Sequence, residues 1–126
     1  MNNKAVMFDI DFTLLNPFTG RRYEHMINFL WKLYACGYTI VIITARPSFL
    51  RSYTINQLVR NCIPFHEVFF CPAELKGEFK RLFVKYDFVL SVGDKDTDLT
   101  ESQYSLKVEN CNTAPSKSLC RLLGIE

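Results

Sequence analysis

Asp9 and Asp11 stand one residue apart in MFDIDFTLLN, a stretch otherwise apolar at Met7, Phe8, Ile10, Phe12, Leu14 and Leu15. Acidic side chains also gather further on, where Asp94, Asp96 and Asp98 fall within GDKDTD. Thr44 closes the apolar run TIVII and is followed by Ala45, Arg46 and Pro47. Lys76 and Lys80 flank GEF. Carboxylates brought together repel: two unit charges about 4 Å apart cost roughly 4 kcal/mol at an effective dielectric near 20. Either some take up protons or a hard cation sits among them. Mg²⁺ takes oxygen ligands, often one or two carboxylates plus substrate phosphate. A Thr hydroxyl and a Lys suit phosphate oxygens. Together these residue types point to phosphate chemistry.

That chemistry requires the residues to meet, and the elements between them say where. Lys4 to Phe8 reads as a first strand. Tyr23 to Ala35 has Met26, Ile27, Leu30, Leu33 and Tyr34 at the spacing of one helix face, stopped by Gly37. Tyr38 to Ile43 is continuous and β-branched, as in a strand buried on both faces. Ser48 can cap a helix reaching Asn61, with Phe49, Tyr53, Leu58 and Val59 inward. Glu67 to Cys71 reads as a third strand, Pro72 to Gly77 as a loop, Glu78 to Tyr86 as a helix and Phe88 to Val92 as a fourth strand. Asp98 to Gln103 reads as helical, Ser105 to Glu109 as a last strand, and Ser116 to Leu123 as a last helix. Apolar strands alternating with amphipathic helices predict a doubly wound, Rossmann-like α/β fold, about five parallel strands with helices on both faces. Sites in such folds form at the carboxyl ends of strands. Asp9 and Asp11, Thr44, and Gly93 to Asp98 all fall at such ends.

Taken singly, each signal has an ordinary reading. A lone DxD is common, Thr44 could cap a helix, and Lys80 could be a solvated helix residue. GDKDTD could be an acidic turn, and it lacks the later Gly and closing Glu of an EF-hand loop. Their occurrence in one chain order, each at or near a strand end, outweighs these.

The order DIDFTLL, ITAR, Lys and VGDKDTDL resembles the haloacid dehalogenase (HAD) superfamily of phosphotransferases, over about Ala5 to Leu99. Phe12 departs from the family pattern, where Gly is more usual. The resemblance implies Mg²⁺-dependent phosphoryl transfer through an aspartyl-phosphate. It makes Asp9 the nucleophile and Asp11 the general acid, then base. Thr44 would bind the transferred phosphoryl group. Asp94 would hold Mg²⁺ with Asp9 and the backbone carbonyl of Asp11, supported by Asp98. A lysine would balance charge, and Lys80 is favoured over Lys76 because it opens the helix before the fourth strand. The DxD spacing has its own reason, since residues two apart in an extended segment point the same way.

Neither gap between these motifs fits a cap domain, so the site should be open. TARPSFLRSYTINQLVRNCIPFHEVFF followed by GEFKRLFVKYDFVLSVGDKDTDL is similar to the phosphatase domain of polynucleotide kinase/phosphatase enzymes, where an Arg follows the Thr motif as Arg46 does. Arg51 and Thr54 match softer markers of that group. No kinase P-loop pattern GxxxxGK[ST] occurs. Arg21, Arg22, Arg46 and Arg51 could make a basic rim for a phosphate backbone. The expected substrate is a phosphomonoester, with nucleotides and polynucleotide 3′-phosphate ends as candidates. The alternative is a non-catalytic phosphate- or protein-binding module on the same fold. A two-component receiver domain fails on order, because its phosphorylated Asp should follow the third strand, where Pro72 and Ala73 stand.

The remaining features narrow the setting. The 126 residues suit one domain, 1–126. A formal net charge of +2 is too weak to draw nucleic acid or membrane by bulk charge. No apolar run is long enough to span a membrane, and MNNKAVMFD has no signal-peptide core. The five cysteines are scattered without a CxxC pair, which argues against zinc and for reduced thiols in a cytoplasmic setting. His25 and His66 lie far from the motifs and read as structural.

Overall fold

The computed structural model describes residues 3–126. Five strands form one parallel sheet: β1 (Asn3–Phe8), β2 (Thr39–Thr44), β3 (Glu67–Phe70), β4 (Tyr86–Gly93) and β5 (Tyr104–Lys107), in the order β3-β2-β1-β4-β5. Four α-helices connect or follow them: α1 (Glu24–Ala35), α2 (Arg51–Arg60), α3 (Lys76–Leu82) and α4 (Lys117–Leu123). The doubly wound α/β expectation holds, and no cap is inserted among the described residues.

The sheet is buried on both faces, which is why its strands read as continuous apolar runs. Side chains alternate between two cores. Val6, Phe8, Ile40, Ile42, Leu90 and Val92 pack with Met26, Ile27, Leu30 and Leu33 of α1 and with Leu58 of α2. Ala5, Met7, Val41, Ile43 and Phe88 face the other way, against Phe79 of α3 and Phe83. Chain order runs outward from β1 to β3 and then crosses back to β4. The reversal lies between β1 and β4, and ligands of such sheets bind at that point, beyond the strands' carboxyl ends.

The helix boundaries differ from expectation in three informative places. The segment read as a loop, Pro72 to Gly77, contains a 3₁₀ turn at Ala73–Leu75, and α3 starts at Lys76 rather than Glu78. Asp98 to Gln103 is not a helix; only a 3₁₀ turn, Asp96–Asp98, forms. The Asp98 and Thr100 carbonyls, which a helix would need as acceptors, accept instead from Lys80 Nζ. Glu101 takes φ +63. Ser48 makes no side-chain cap and lies in a 3₁₀ turn ahead of α2, whereas Ser116 does cap α4, accepting from Leu119 N at 3.1 Å.

On α2 the inward residues are Thr54, Gln57 and Leu58, while Phe49, Tyr53 and Val59 are exposed. Two of the three buried residues of that helix are therefore polar. Tyr34 of α1 also turns outward and packs on the His66 ring at 5.3 Å. His66 is structural as expected: its Nδ1 accepts from Ile40 N and its own amide donates to the Ile40 carbonyl, both at 2.9 Å.

Candidate active site

Asp9 directly follows β1, and its amide extends the ladder by donating to the Val92 carbonyl at 3.0 Å. Asp94 follows β4. Asp98 returns to the same spot because Gly93 leaves room: a Cβ there would stand 2.6 Å from the Asp98 carboxyl carbon. Asp9, Asp94 and Asp98 each bring a carboxylate oxygen within 4.8 Å of the others, and this all-oxygen cluster could hold a metal ion. The Asp98 oxygens also accept from Lys76 Nζ at 2.7 Å and from the Lys95 amide at 3.2 Å.

The charges do not balance. Lys76 Nζ lies 3.2 Å from Asp9 and 2.7 Å from Asp98, so one buried ammonium is shared by two carboxylates. Burial pushes the Asp9 carboxyl up to about 7; Lys76 opposes this and Asp98 adds to it. Asp94 is raised too, by burial and then by Asp98. Burial alone would lower Lys76, but Asp9 and Asp98 outweigh it and its pKa is raised. Three clustered carboxylates share this one ammonium, which leaves the cluster short of positive charge. A divalent cation would supply it.

Asp11 is not in that cluster. Its two oxygens accept from Arg46, from Nε at 3.0 Å and Nη2 at 2.6 Å, a bidentate pair. Arg46 Nη1 donates to Thr54 Oγ1 at 3.2 Å and to Gln57 Oε1 at 2.9 Å. The polar face of α2 thus exists to hold this guanidinium. Thr44 ends β2, fully buried, and its Oγ1 accepts from the Arg46 amide at 3.1 Å. Asp9, Asp11, Arg46, Lys76 and Asp94 line one cleft of about 410 Å³. A separate hollow of about 390 Å³ near His25 and Lys117 contains none of these residues.

The lysine expectation is corrected by this geometry. Lys80 lies one helical turn beyond Lys76, and its Nζ donates to Ser91 Oγ at 3.0 Å, to the Asp98 carbonyl at 2.9 Å and to the Thr100 carbonyl. It contacts no carboxylate at the site. Burial lowers its pKa to about 8, with Asp98 opposing. Lys76 is the lysine that reaches Asp9. Of the four arginines expected to make a basic rim, only Arg46 lines the cleft. Arg22 donates to Glu24 and to the Asn61 carbonyl, and Arg51 lies over the Phe70 ring at 5.7 Å. Gln57 went unread in the sequence; a Gln on the apolar spacing of a helix was the available signal.

No protein-family model matches the chain, and no curated protein does. The fold does have solved counterparts. A chain in "Structure of Pnkp1/Rnl/Hen1 complex" superposes with a TM-score of 0.71 at 16% identity, covering 85% of this chain and 46% of that one. A chain in "Structure of the Pnkp1/Rnl/Hen1 RNA repair complex" gives 0.66 at 17%, covering 85% and 42%. The chain therefore spans less than half of those chains, and at this identity the likeness concerns the fold. No helix among the described residues is long and apolar enough to cross a membrane.

Proposed function

We propose that residues 1–126 form a Mg²⁺-dependent HAD-type phosphatase domain that works through an aspartyl-phosphate on Asp9 and acts on polynucleotide 3′-phosphate ends. The observation that carries the reading is the pairing of Asp9 with Lys76 inside a cluster of three carboxylates at the sheet's reversal point. Asp9, Asp94 and Asp98 are the side chains that would hold Mg²⁺, and their all-oxygen donor set and excess negative charge fit a hard dication. When bound, the ion would offset charge on phosphate and ease the approach of an anionic nucleophile.

The chain's own groups divide the remaining work. Asp9 Oδ attacks phosphorus and forms an acyl phosphate as the leaving oxygen departs, so one hard hydrolysis becomes two steps. Lys76 neutralises Asp9 and the incoming phosphate oxygens. Thr44 Oγ1 binds the transferred group. Arg46 presently occupies both Asp11 oxygens. An incoming phosphate offers the guanidinium a second bidentate acceptor; Asp11, released from Arg46, takes up a proton from solvent, passes it to the leaving oxygen, and as a carboxylate again accepts a proton from the attacking water.

The nucleic-acid part is supported by the likeness to a chain of an RNA repair complex, together with an open cleft over which no cap is inserted among the described residues. The test is inorganic phosphate release from p-nitrophenyl phosphate, nucleoside monophosphates and a 3′-phosphorylated oligonucleotide, with Mg²⁺ and with EDTA. Release that needs Mg²⁺ and favours the oligonucleotide is expected. Metal-dependent binding without release from any substrate would instead favour a non-catalytic phosphate-binding module.

A further inference from the structure

The loop between β1 and α1 carries two residues that phosphate chemistry leaves unused. Phe12, next to Asp11, has φ +59. Glycine takes this left-handed conformation freely, and a bulky side chain takes it at a cost. The ring stays 37% exposed and lines the same cleft as Asp9 and Asp11. Phe18 is 86% exposed, and its ring centroid lies 5.9 Å from that of Phe12 with the planes at 59°.

The backbone at Phe18 is held in place. Asn16 Oδ1 accepts from the Phe18 amide at 2.8 Å and the Thr19 amide at 3.2 Å. The backbone closes a tight hairpin beneath it, Asn16 N to Arg21 O at 2.8 Å and Gly20 N to Asn16 O at 2.7 Å. A nearly bare aromatic ring on an ordered support, beside a second ring in an unfavourable backbone conformation, forms a two-sided apolar lip. The cleft behind that lip is lined by Arg46, Lys76 and Lys95 together with Asp9, Asp11 and Asp94, so its fit to an anion rests on the phosphate-binding role proposed above for Arg46 and Lys76. The ligand that fits both has an anionic group joined to a flat, apolar-faced one.

We propose that Phe12 and Phe18 stack the nucleobase of the nucleotide that carries the scissile phosphate, so that single-stranded nucleic-acid ends are the substrate class; this rests on the phosphatase reading above. Two rings are far too small an area for a stable protein interface. They are the usual means of holding an unpaired base, and every base offers a face to stack. A paired end would hide that face.

The test measures binding by fluorescence anisotropy, in Mg²⁺, with Asp9→Asn protein. The probes are a labelled RNA hexamer ending in a 3′-phosphate and the same hexamer with an abasic last residue. Protein with both rings should bind the base-bearing end about tenfold tighter than the abasic one. Phe18→Ala, and separately Phe12→Gly, should each erase most of that ratio. Phe12→Gly should melt no lower than its parent, because glycine relieves the left-handed backbone. Equal binding of the two hexamers, a preference that survives both substitutions, or no binding would overturn the proposal. A nucleoside 3′-monophosphate that competes as well as the hexamer would assign the lip to free nucleotides and overturn the single-strand claim. Phosphate release from the intact hexamer by the unsubstituted protein is scored separately, so failure of the phosphatase reading is distinct from failure of the stacking.

Discussion

Lys76 Nζ stands 3.2 Å from Asp9 Oδ1 with its side chain 1% exposed, and the same nitrogen is 2.7 Å from Asp98 Oδ1. A buried ammonium shared by two carboxylates is a charge that cannot be removed cheaply. Lys80, four residues on, is equally enclosed but serves carbonyls and a hydroxyl. The two lysines should therefore fail differently. Lys76→Met should lower kcat by at least about a hundredfold, the loss expected when one positioned charge leaves the reacting group. Lys80→Met should keep turnover within about tenfold; both variants should lower the melting temperature, Lys76→Met by unpairing two carboxylates and Lys80→Met because three acceptors lose their donor. Steady-state rates and thermal melts on both variants check this; equal kinetic losses would contradict it.

Arg46 is held from behind by α2. Gln57→Leu removes the 2.9 Å acceptor of Arg46 Nη1 without touching Asp11. A hydrogen bond to a charged group is worth about 1.5–3 kcal/mol. The expected result is a roughly tenfold higher KM with a smaller change in kcat, since the guanidinium remains but is less well aimed. Arg46→Ala should raise KM further and also lower kcat, because Asp11 loses its partner. A Gln57→Leu protein with unchanged KM would show that Arg46 does not meet substrate.

Gly93 is required by packing rather than by backbone freedom. An alanine methyl would overlap the Asp98 carboxylate, 2.6 Å from its carbon. Gly93→Ala should therefore displace Asp98, destabilise the fold by about 1–3 kcal/mol as overpacking does, and weaken Mg²⁺ binding at least tenfold. Denaturant melts and a Mg²⁺ titration followed by Tm read both effects.

The metal-free protein should lose stability as pH rises from about 3.8 to about 7. Asp9 is raised to about 7 in the folded chain, chiefly by burial, from an ordinary 3.8. Below about 3.8 both states hold the proton, and the folded state has its full share of stability. Between that point and about 7 the unfolded chain ionises first, so stability falls as pH rises. In EDTA, Asp9→Asn should melt several degrees above the unsubstituted protein at pH 8 and level with it at pH 4. Mg²⁺ should raise the melting temperature of the unsubstituted protein more at pH 8 than at pH 5, because the ion competes with that proton. A Tm difference in EDTA that is the same at both pH values would contradict the assignment.

How much of this was legible beforehand depends on the kind of signal. The order of strands and helices was readable because buried parallel strands and amphipathic helices leave different periodicities, as in TIVII against MINFLWKL. Asp9, Thr44 and Asp94 were readable because each directly follows or ends such a strand. Lys76 against Lys80 was not, because residues four apart share a helix face, and the choice turns on where the helix starts. The missed polar face of α2 has a similar origin. Gln57 on the apolar spacing of α2 was its one local mark, and the reason Thr54 and Gln57 face inward, meeting Arg46, is a tertiary fact. The expected helix at Asp98 to Gln103 does not form; the Asp98 and Thr100 carbonyls accept from the distant Lys80 ammonium.

The central claim is covalent chemistry on Asp9. The measurement is peptide mass analysis of protein quenched in acid during turnover of a 3′-phosphorylated oligonucleotide with Mg²⁺. A phosphoryl adduct should appear on the peptide containing Asp9, should vanish on longer incubation as water releases phosphate, and should be absent from Asp9→Asn. Sustained phosphate release without that adduct, or full turnover by Asp9→Asn, would contradict the account.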